Sequence, residues 1–154
     1  MASTKKIENI DGCCNCLALR QASRYLTALY DQALSGVGIR ATQFSILYRL
    51  AKEGSMAIGE LAGAMAMDRT TLSANLKPME RDELIKIAPS PQDRRAKAVT
   101  LTRQGMLRYQ QAFPLWEAVQ EEFEGAYGEK EAKTLRNAAR SVLNSGFDPW
   151  AEGL

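Results

Sequence analysis

Between Met67 and Thr102 the chain reads MDRTTLSANLKPMERDELIKIAPSPQDRRAKAVTLT, and this succession of helix, strand, basic turn and strand restricts the fold more than any other segment. Asp68 suits a helix N-cap, because its carboxylate can accept a hydrogen bond from an amide that the first turn leaves unpaired. Leu72, Leu76 and Met79 then recur at helical spacing and are expected to face a core. Roughly opposite lie Thr70, Ala74, Lys77 and Arg81, flanked by Arg69, Ser73 and Asn75. Short hydrogen-bonding and cationic side chains of this kind suit the major groove of duplex DNA better than a protein interior.

The two strands expected after the helix are LIKIA (84–88) and AKAVTL (96–101), with PSPQDRR supplying the loop between them. A helix followed by a ribbon with arginines at its tip can reach both grooves of a duplex. Arg94 and Arg95 are expected to enter a narrow minor groove or clamp phosphates, and Asp93, which would repel phosphate, to orient a guanidinium. The candidate DNA-binding residues are therefore Arg69, Thr70, Thr71, Ser73, Asn75, Lys77, Arg94, Arg95 and Lys97. A solvated hairpin whose arginines only keep it soluble is the alternative for the turn alone.

Charge supports the first reading only when it is divided along the chain. The net formal charge is +2, but positions 69–103 hold eight Lys or Arg against four Asp or Glu. From position 104 onward there are five against eight, and the first 68 residues hold seven against six. The surplus lies in the proposed reading element, as an electrostatic footprint should. At 154 residues, 45% hydrophobic and 25% charged, the chain is expected to be one globular domain spanning 1–154. No apolar run reaches a membrane span and MASTKKIENIDG lacks the apolar core of a signal peptide, so a cytoplasmic protein without a membrane partner is expected. Histidine is absent altogether, which removes the commonest metal ligand and general base. With no P-loop, G-x-G-x-x-G or nucleophile elbow either, the expectation is no enzyme, no cofactor and no metal.

Helices are expected on both sides of this element. A first, from about Cys13 to Ser35, is capped by Asp11 and broken by GVG at 36–38; Leu19, Ala22, Leu26, Leu29 and Ala33 form its apolar stripe. A second starts at Thr42 as cap and buries Phe44, Leu47 and Leu50. A third, around Gly59 to Met65, is the positioning half of a helix-turn-helix. Thr102 caps a long helix carrying Met106, Tyr109, Phe113, Trp116, Val119, Phe123 and Tyr127, which Pro114 should kink, and Gly128 separates it from a last helix, Glu129 to about Asn144. This apolar surface exceeds what one small reading head can cover; an intramolecular helical core is one way to bury it, and a homodimer is preferred because two reading heads need a rigid spacer to fit two half-sites.

The block ELAGAMAMDRTTLSANLKPMERDELIKIAPSPQDRRAKAVTLTRQG resembles the helix-turn-helix and wing of the multiple antibiotic resistance regulator (MarR) family of transcription factors. Its most specific part couples Asp93, Arg94 and Arg95 to Leu101, Thr102 and Gly105, an L-T-x-x-G run, and the flanking helices match in length and order. Two departures stand out: Glu83 occupies the place of a glycine that usually ends the recognition helix, and Pro78 sits inside that helix, where it cannot donate to the carbonyl of Ala74. The resemblance implies a mainly α fold with a small β-wing, a winged helix-turn-helix at 42–101, and long terminal dimerisation helices at 13–35 and 103–145. It implies a repressor that leaves a palindromic double-stranded DNA operator in response to a small aromatic effector, lodged near Tyr25, Tyr48 and Trp116, or to an oxidant.

Cys13, Cys14 and Cys16 are all the cysteines of the chain, and they cluster where the first helix begins. A helix start favours thiolate, Arg20 and Arg24 follow one and two turns on, and Cys13 and Cys16 form a C-x-x-C spacing. Redox sensing through Cys16 and Cys13, packing of Cys16 as a small apolar residue beside Leu19, and an incomplete metal site all remain open. CLALRQASRYLTALY further resembles the first helix of the organic hydroperoxide regulators of the same family: Cys16 matches their reactive cysteine, Ser23 and Arg24 a Ser-Arg pair, and Tyr30 a supporting tyrosine. Arg20 and Ala41 stand where that subgroup has two further tyrosines. Besides the regulator, two other functions fit the residues: a helical dimer that binds chromosomes or proteins without sequence preference, and a thiol redox protein using Cys13 and Cys16.

Overall fold

The computed structural model describes residues 9–151. Its helices are α1 (Ile10–Cys13), α2 (Asn15–Leu34), α3 (Ala41–Glu53), α4 (Ile58–Met65), α5 (Arg69–Arg81), α6 (Arg103–Tyr127) and α7 (Glu129–Val142), and its strands are β1 (Met56–Ala57), β2 (Ile85–Pro89) and β3 (Lys97–Leu101). The fold is mainly α with a small β-wing, as expected.

Several boundaries differ from the sequence expectation, each for a local reason. The first helix is interrupted at Cys14 (φ −84, ψ 106), so Asp11 falls inside the one-turn α1 and Cys14 caps α2 instead, its Sγ accepting the Leu17 N–H at 3.3 Å. Gly38, at φ 69, ends the turn that follows α2. Thr42 does not cap α3, because the helix begins one residue earlier. There the Arg40 N–H donates to Gln43 Oε1 at 2.9 Å and the Ala41 N–H to Asp31 Oδ1 at 2.7 Å, which ties the start of α3 to α2. Helix α6 runs as one element through Pro114, and α5 runs through Pro78 to Arg81.

The wing is not the two-stranded ribbon expected. Met56 and Ala57 pair with Val99 and Ala98, so the sheet has three antiparallel strands in the order β1-β3-β2. Two residues are too few to show strand alternation, and only the partner edge of β3 reveals β1.

Leu34, Ile46, Leu47, Leu50, Leu61, Leu72, Leu76, Met79, Leu84 and Val99 are almost wholly buried and belong to one cluster. Each leucine so buried contributes roughly 1.5–3 kcal/mol by removal of apolar surface from water. The three helical positions Leu72, Leu76 and Met79 therefore seat the recognition helix α5 on the sheet and on α3.

Two tight junctions fix the wing to the helices around it. Helix α5 ends with Glu83 at φ 58, its N–H bonded to the Glu80 carbonyl at 3.0 Å while the Leu84 N–H reaches Met79 at 2.9 Å. This left-handed exit is the geometry for which glycine is ordinarily used. Thr102 then locks the junction: its Oγ1 donates to the Glu83 carbonyl at 2.6 Å and accepts from the Gly105 N–H at 2.9 Å. A Cβ on Gly105 would stand 2.0 Å from the Leu84 carbonyl oxygen, which explains physically why the L-T-x-x-G run ends in glycine.

Candidate nucleic-acid interface

The helix-turn-helix is α4, a three-residue turn and α5. The turn is made without glycine, since Ala66 takes φ 50 and the Met67 N–H reaches back to the Ala62 carbonyl at 2.9 Å. Asp68 caps α5 as expected: its Oδ1 accepts the Thr71 N–H at 2.7 Å and its Oδ2 the Thr71 hydroxyl at 2.6 Å. The hydrogen bond from the Thr71 side chain, followed by the backbone bonds, holds the Asp68 carboxyl below its ordinary value. Asn75 Nδ2 donates to the Thr71 carbonyl at 2.9 Å, which leaves its Oδ1 free of that contact.

Arg69, Thr70, Thr71 and Lys77 are exposed on α5, and Ser73 and Asn75 are half-buried. Arg94 and Arg95 are exposed in the loop of the wing. Asp93 does something other than expected there. It shapes the loop, its Oδ1 accepting the Arg95 backbone N–H at 2.9 Å and its carbonyl the Ala96 N–H at 3.0 Å. The side chain of a turn aspartate reaches the amide two residues on more readily than a neighbouring guanidinium.

Lys97 is placed by strand register. It pairs with Pro89 and shares a face with Val99, the buried residue two positions along, so it stands at the outer end of the core-facing side of β3. From there it joins Ser73, Lys77, Glu80 and Pro89 around a groove of about 380 Å³ between recognition helix and wing. On the other side Lys97 borders a second concavity with Arg69 and Arg95. Helix and wing thus bring Lys77, Arg69, Arg95 and Lys97 to two adjoining concavities, whose walls also carry Glu80 and Glu60.

A separate cleft of about 530 Å³ lies where α3, α4 and α6 meet. Tyr48 and Trp116 line it, together with Phe44, Tyr109, Phe113 and Met65. Phe44 stacks on Trp116 with centroids 5.8 Å apart and tilts against Tyr109 at 5.5 Å. Burial, with Tyr48 nearby, pushes the Tyr109 hydroxyl above its ordinary value, so it stays neutral. Arg49 and Arg140 add positive charge to the lining. Tyr25 does not belong to this cleft: it points outward from α2 and is 74% exposed. The spacing of aromatics along α6 signalled Tyr109 and Phe113, but their meeting with Phe44 depends on how α3 crosses α6.

The thiols are also placed otherwise than in a packed stripe. Cys13 and Cys16 are exposed and Cys14 is half-buried, so Cys16 does not pack beside Leu19. Among the described residues no group of Cys, Asp and Glu is arranged to hold a metal ion. Tyr30 lies fourteen residues beyond Cys16, about 20 Å along a helix, and donates to Gln120 Oε1 within the same chain. Gln120 in turn donates to Glu124, which pairs with Arg136 of α7. Burial raises the Tyr30 hydroxyl, and the Glu124 carboxylate adds to this against the opposing pull of Arg136. Among the described residues no helix is long and apolar enough to cross a membrane.

Residues 39–97 match the sequence model of the MarR family. The HTH-type transcriptional repressor NicR of Pseudomonas putida is 27% identical over 127 residues, 82% of this chain and 80% of its own length. The organic hydroperoxide resistance transcriptional regulator of Bacillus subtilis is 29% identical over 97 residues, 63% of this chain and 66% of its own. The transcriptional regulator MosR of M. tuberculosis, solved in complex with DNA, superposes with a TM-score of 0.75 at 33% identity, over 87% of this chain and 99% of that one. The geometry of reading head and wing and these likenesses agree, and the chain belongs to the MarR family of winged helix-turn-helix transcriptional regulators, which bind DNA.

Proposed function

We propose that the protein is a homodimeric repressor that holds an approximately palindromic operator and leaves it when a small effector or an oxidant alters the spacing of its two heads. The observation that carries this reading is the union of recognition helix and wing around Lys97, which brings Arg69, Ser73, Lys77 and Arg95 to adjoining concavities, with Arg94 exposed on the wing loop. In this reading Thr70, Thr71 and Asn75 complete the face of α5, positions 42–101 form the DNA-binding region, and 13–35 with 103–145 form the dimerisation region. Support for the dimer comes from the uncovered apolar side chains of the terminal helices and tail, Leu19, Tyr25, Val142, Leu143, Phe147 and Trp150. A pair of rigidly held heads places two recognition helices about one DNA turn apart, which a single head cannot do.

For the effector, the aromatic cleft beside α4 favours a small planar acid: Tyr48, Tyr109 and Trp116 offer stacking faces and Arg49 and Arg140 offer charge. A ligand wedged there bears on the positioning helix and on α6 at once. The redox route rests on a different observation, the exposure of Cys13 and Cys16 at the start of the helix that opens the proposed dimer platform. Peroxide would convert the Cys16 thiolate to sulfenic acid, and Cys13 or a thiol of the partner would then displace water to form a disulfide.

The test is retention of the gene's own upstream DNA in the presence of excess nonspecific competitor. Wild type and Cys16→Ser are then titrated with peroxide and, separately, with aromatic carboxylates. Release of both proteins by the aromatic acid and of neither by peroxide selects the ligand route; release of wild type alone by peroxide selects the thiol route. Equal binding to any duplex overturns the operator reading.

A further inference from the structure

We propose that Asp31 and Arg108 are positioning residues, which clamp the corner between α2 and α3 and thereby set the angle at which the reading head stands on the long helices. The proposal deepens the operator reading above and rests on it, because that angle fixes the spacing of two heads. Among the described residues the chain passes between the long helices and the head only at residues 35–40 and at Thr102. Around the first crossing the apolar side chains belong to the head: Leu34 and Ile39 are 0% and 3% exposed in its core cluster, and Val37 packs against it. The polar bonds of the same corner come from the long helices. Arg108 of α6 donates from Nη1 to the Val37 carbonyl at 3.0 Å, and Oδ1 of Asp31 on α2 accepts the Ala41 N–H at 2.7 Å.

Each bond falls where a backbone end needs it. Val37 closes the turn after α2, so its carbonyl has no partner in a continuing helix, and Ala41 opens α3, so its N–H has none either. A cation at the first and an anion at the second match the helix dipoles and make both bonds charge-assisted. Gly38, at φ 69, turns the chain between them, and a Cβ added to it would stand 3.7 Å from Arg108 Nη1, so the guanidinium lies over the turn itself. Both side chains are half-buried, and among the described residues neither joins an ion pair; the pairs formed are Lys52–Glu53, Arg81–Asp82 and Arg136–Glu124. Thr102 caps α6 at the second crossing and Arg108 follows on the same helix, so Arg108 ties one crossing to the other.

Removing the two clamps changes charge in opposite directions and position in the same one. Upstream DNA, the same DNA with a base pair inserted at its centre, and a mixed-sequence duplex are bound by wild type, Arg108→Met and Asp31→Ala, and by the conservative variants Arg108→Lys and Asp31→Asn. Urea unfolding checks that each is folded. An effect of charge alone would weaken DNA binding in Arg108→Met and strengthen it in Asp31→Ala. Positioning weakens both, and the expected loss on upstream DNA is about 10-fold in each. On the mixed duplex, whose affinity does not depend on head spacing, the loss should stay within about twofold. The penalty for the inserted base pair should shrink, and Arg108→Lys and Asp31→Asn, which keep a donor and an acceptor in place, should recover most of the loss. Opposite shifts, equal losses on all three duplexes, or no loss overturn the clamp. If wild type itself binds all three alike, the operator reading fails, and the angle is read within one chain as the distance between spin labels at Glu80 on α5 and Glu121 on α6, both exposed. The labelled chain has its own cysteines replaced by serine and is diluted in unlabelled protein. A broader distance distribution in Arg108→Met than in the otherwise unchanged chain upholds the clamp, and an unchanged one overturns it.

Discussion

The reading head and the terminal helices both carry apolar side chains at helical spacing but dispose of them differently. In the head, Leu61, Leu72, Leu76, Met79, Leu84, Ile85 and Val99 all lie within a few per cent of complete burial. In α2 only Leu34 is buried and in α7 only Ala132, while Leu19, Val142 and Leu143 stay exposed. The head closes because a helix and a sheet supply one apolar face each and α3, joined by Leu34 of α2 and Ala112 of α6, covers the rest. The long helices have no such third layer in a single chain. A stripe at helical spacing therefore means one thing in α5 and another in α7: core in the first, a surface that a second copy would cover in the second.

The largest effect that tests this contrast is removal of everything after Gly128. We expect a monomer that retains the head and loses operator preference by on the order of 10³-fold or more. Sedimentation and competition binding measure it together, and a truncated monomer with full operator affinity would break the contrast. A finer comparison sets Leu76→Ala against Val142→Ala, since the first side chain is 1% exposed and the second 50%. Leu76→Ala should cost about 2–5 kcal/mol in urea unfolding at any protein concentration. Val142→Ala should cost little in concentrated solution and more on dilution, because its contribution enters through subunit association. Equal, concentration-independent losses would mean that both stripes are closed within one chain.

The head also carries backbone strain that the platform lacks at its own Gly128 exit. Ala66 and Glu83 both hold positive φ, and L side chains in that region cost roughly 1–2 kcal/mol. Glu83→Gly should therefore raise the stability of the head by about 0.5–1 kcal/mol after allowance for the added freedom of glycine in the unfolded chain. A fall in the unfolding midpoint would show instead that contacts of the Glu83 side chain outweigh the strain.

The smallest expected effect is on pH. Asp68 has its carboxyl lowered in the native state, so its contribution is complete above the ordinary value of 3.8 and is lost as pH falls through the lower native one. Asp68→Asn should thus narrow its stability gap to wild type below about pH 3.8 and show a constant gap above it. A gap that widens on acidification would mean that the cap acts through something other than its charge.

These comparisons separate two kinds of information in the chain. Local signals were legible directly: the spacing of Leu72, Leu76 and Met79, the caps Asp68 and Thr102, the break at Gly128 and the basic loop of the wing are each set by interactions within a turn or two. The L-T-x-x-G run was legible as a motif, but its reason, the approach of Gly105 to the Leu84 carbonyl, lies across twenty-one residues of sequence. The residues of the aromatic cleft were only half legible, since Tyr25 shares its type with Tyr48 and Tyr109 and differs only in which way its helix turns.

By itself the sequence determined that this is a helical protein with a basic reading element, because periodicity, capping and charge are properties of neighbours along the chain. Tertiary structure alone decided that Met56 and Ala57 become a strand and that Lys97 turns toward the recognition helix. Each of those outcomes depends on a partner distant in sequence or on the packing of neighbouring elements. A strand of two residues has no pattern of its own, and a lysine on a strand faces whichever side the register of its buried neighbours leaves to it.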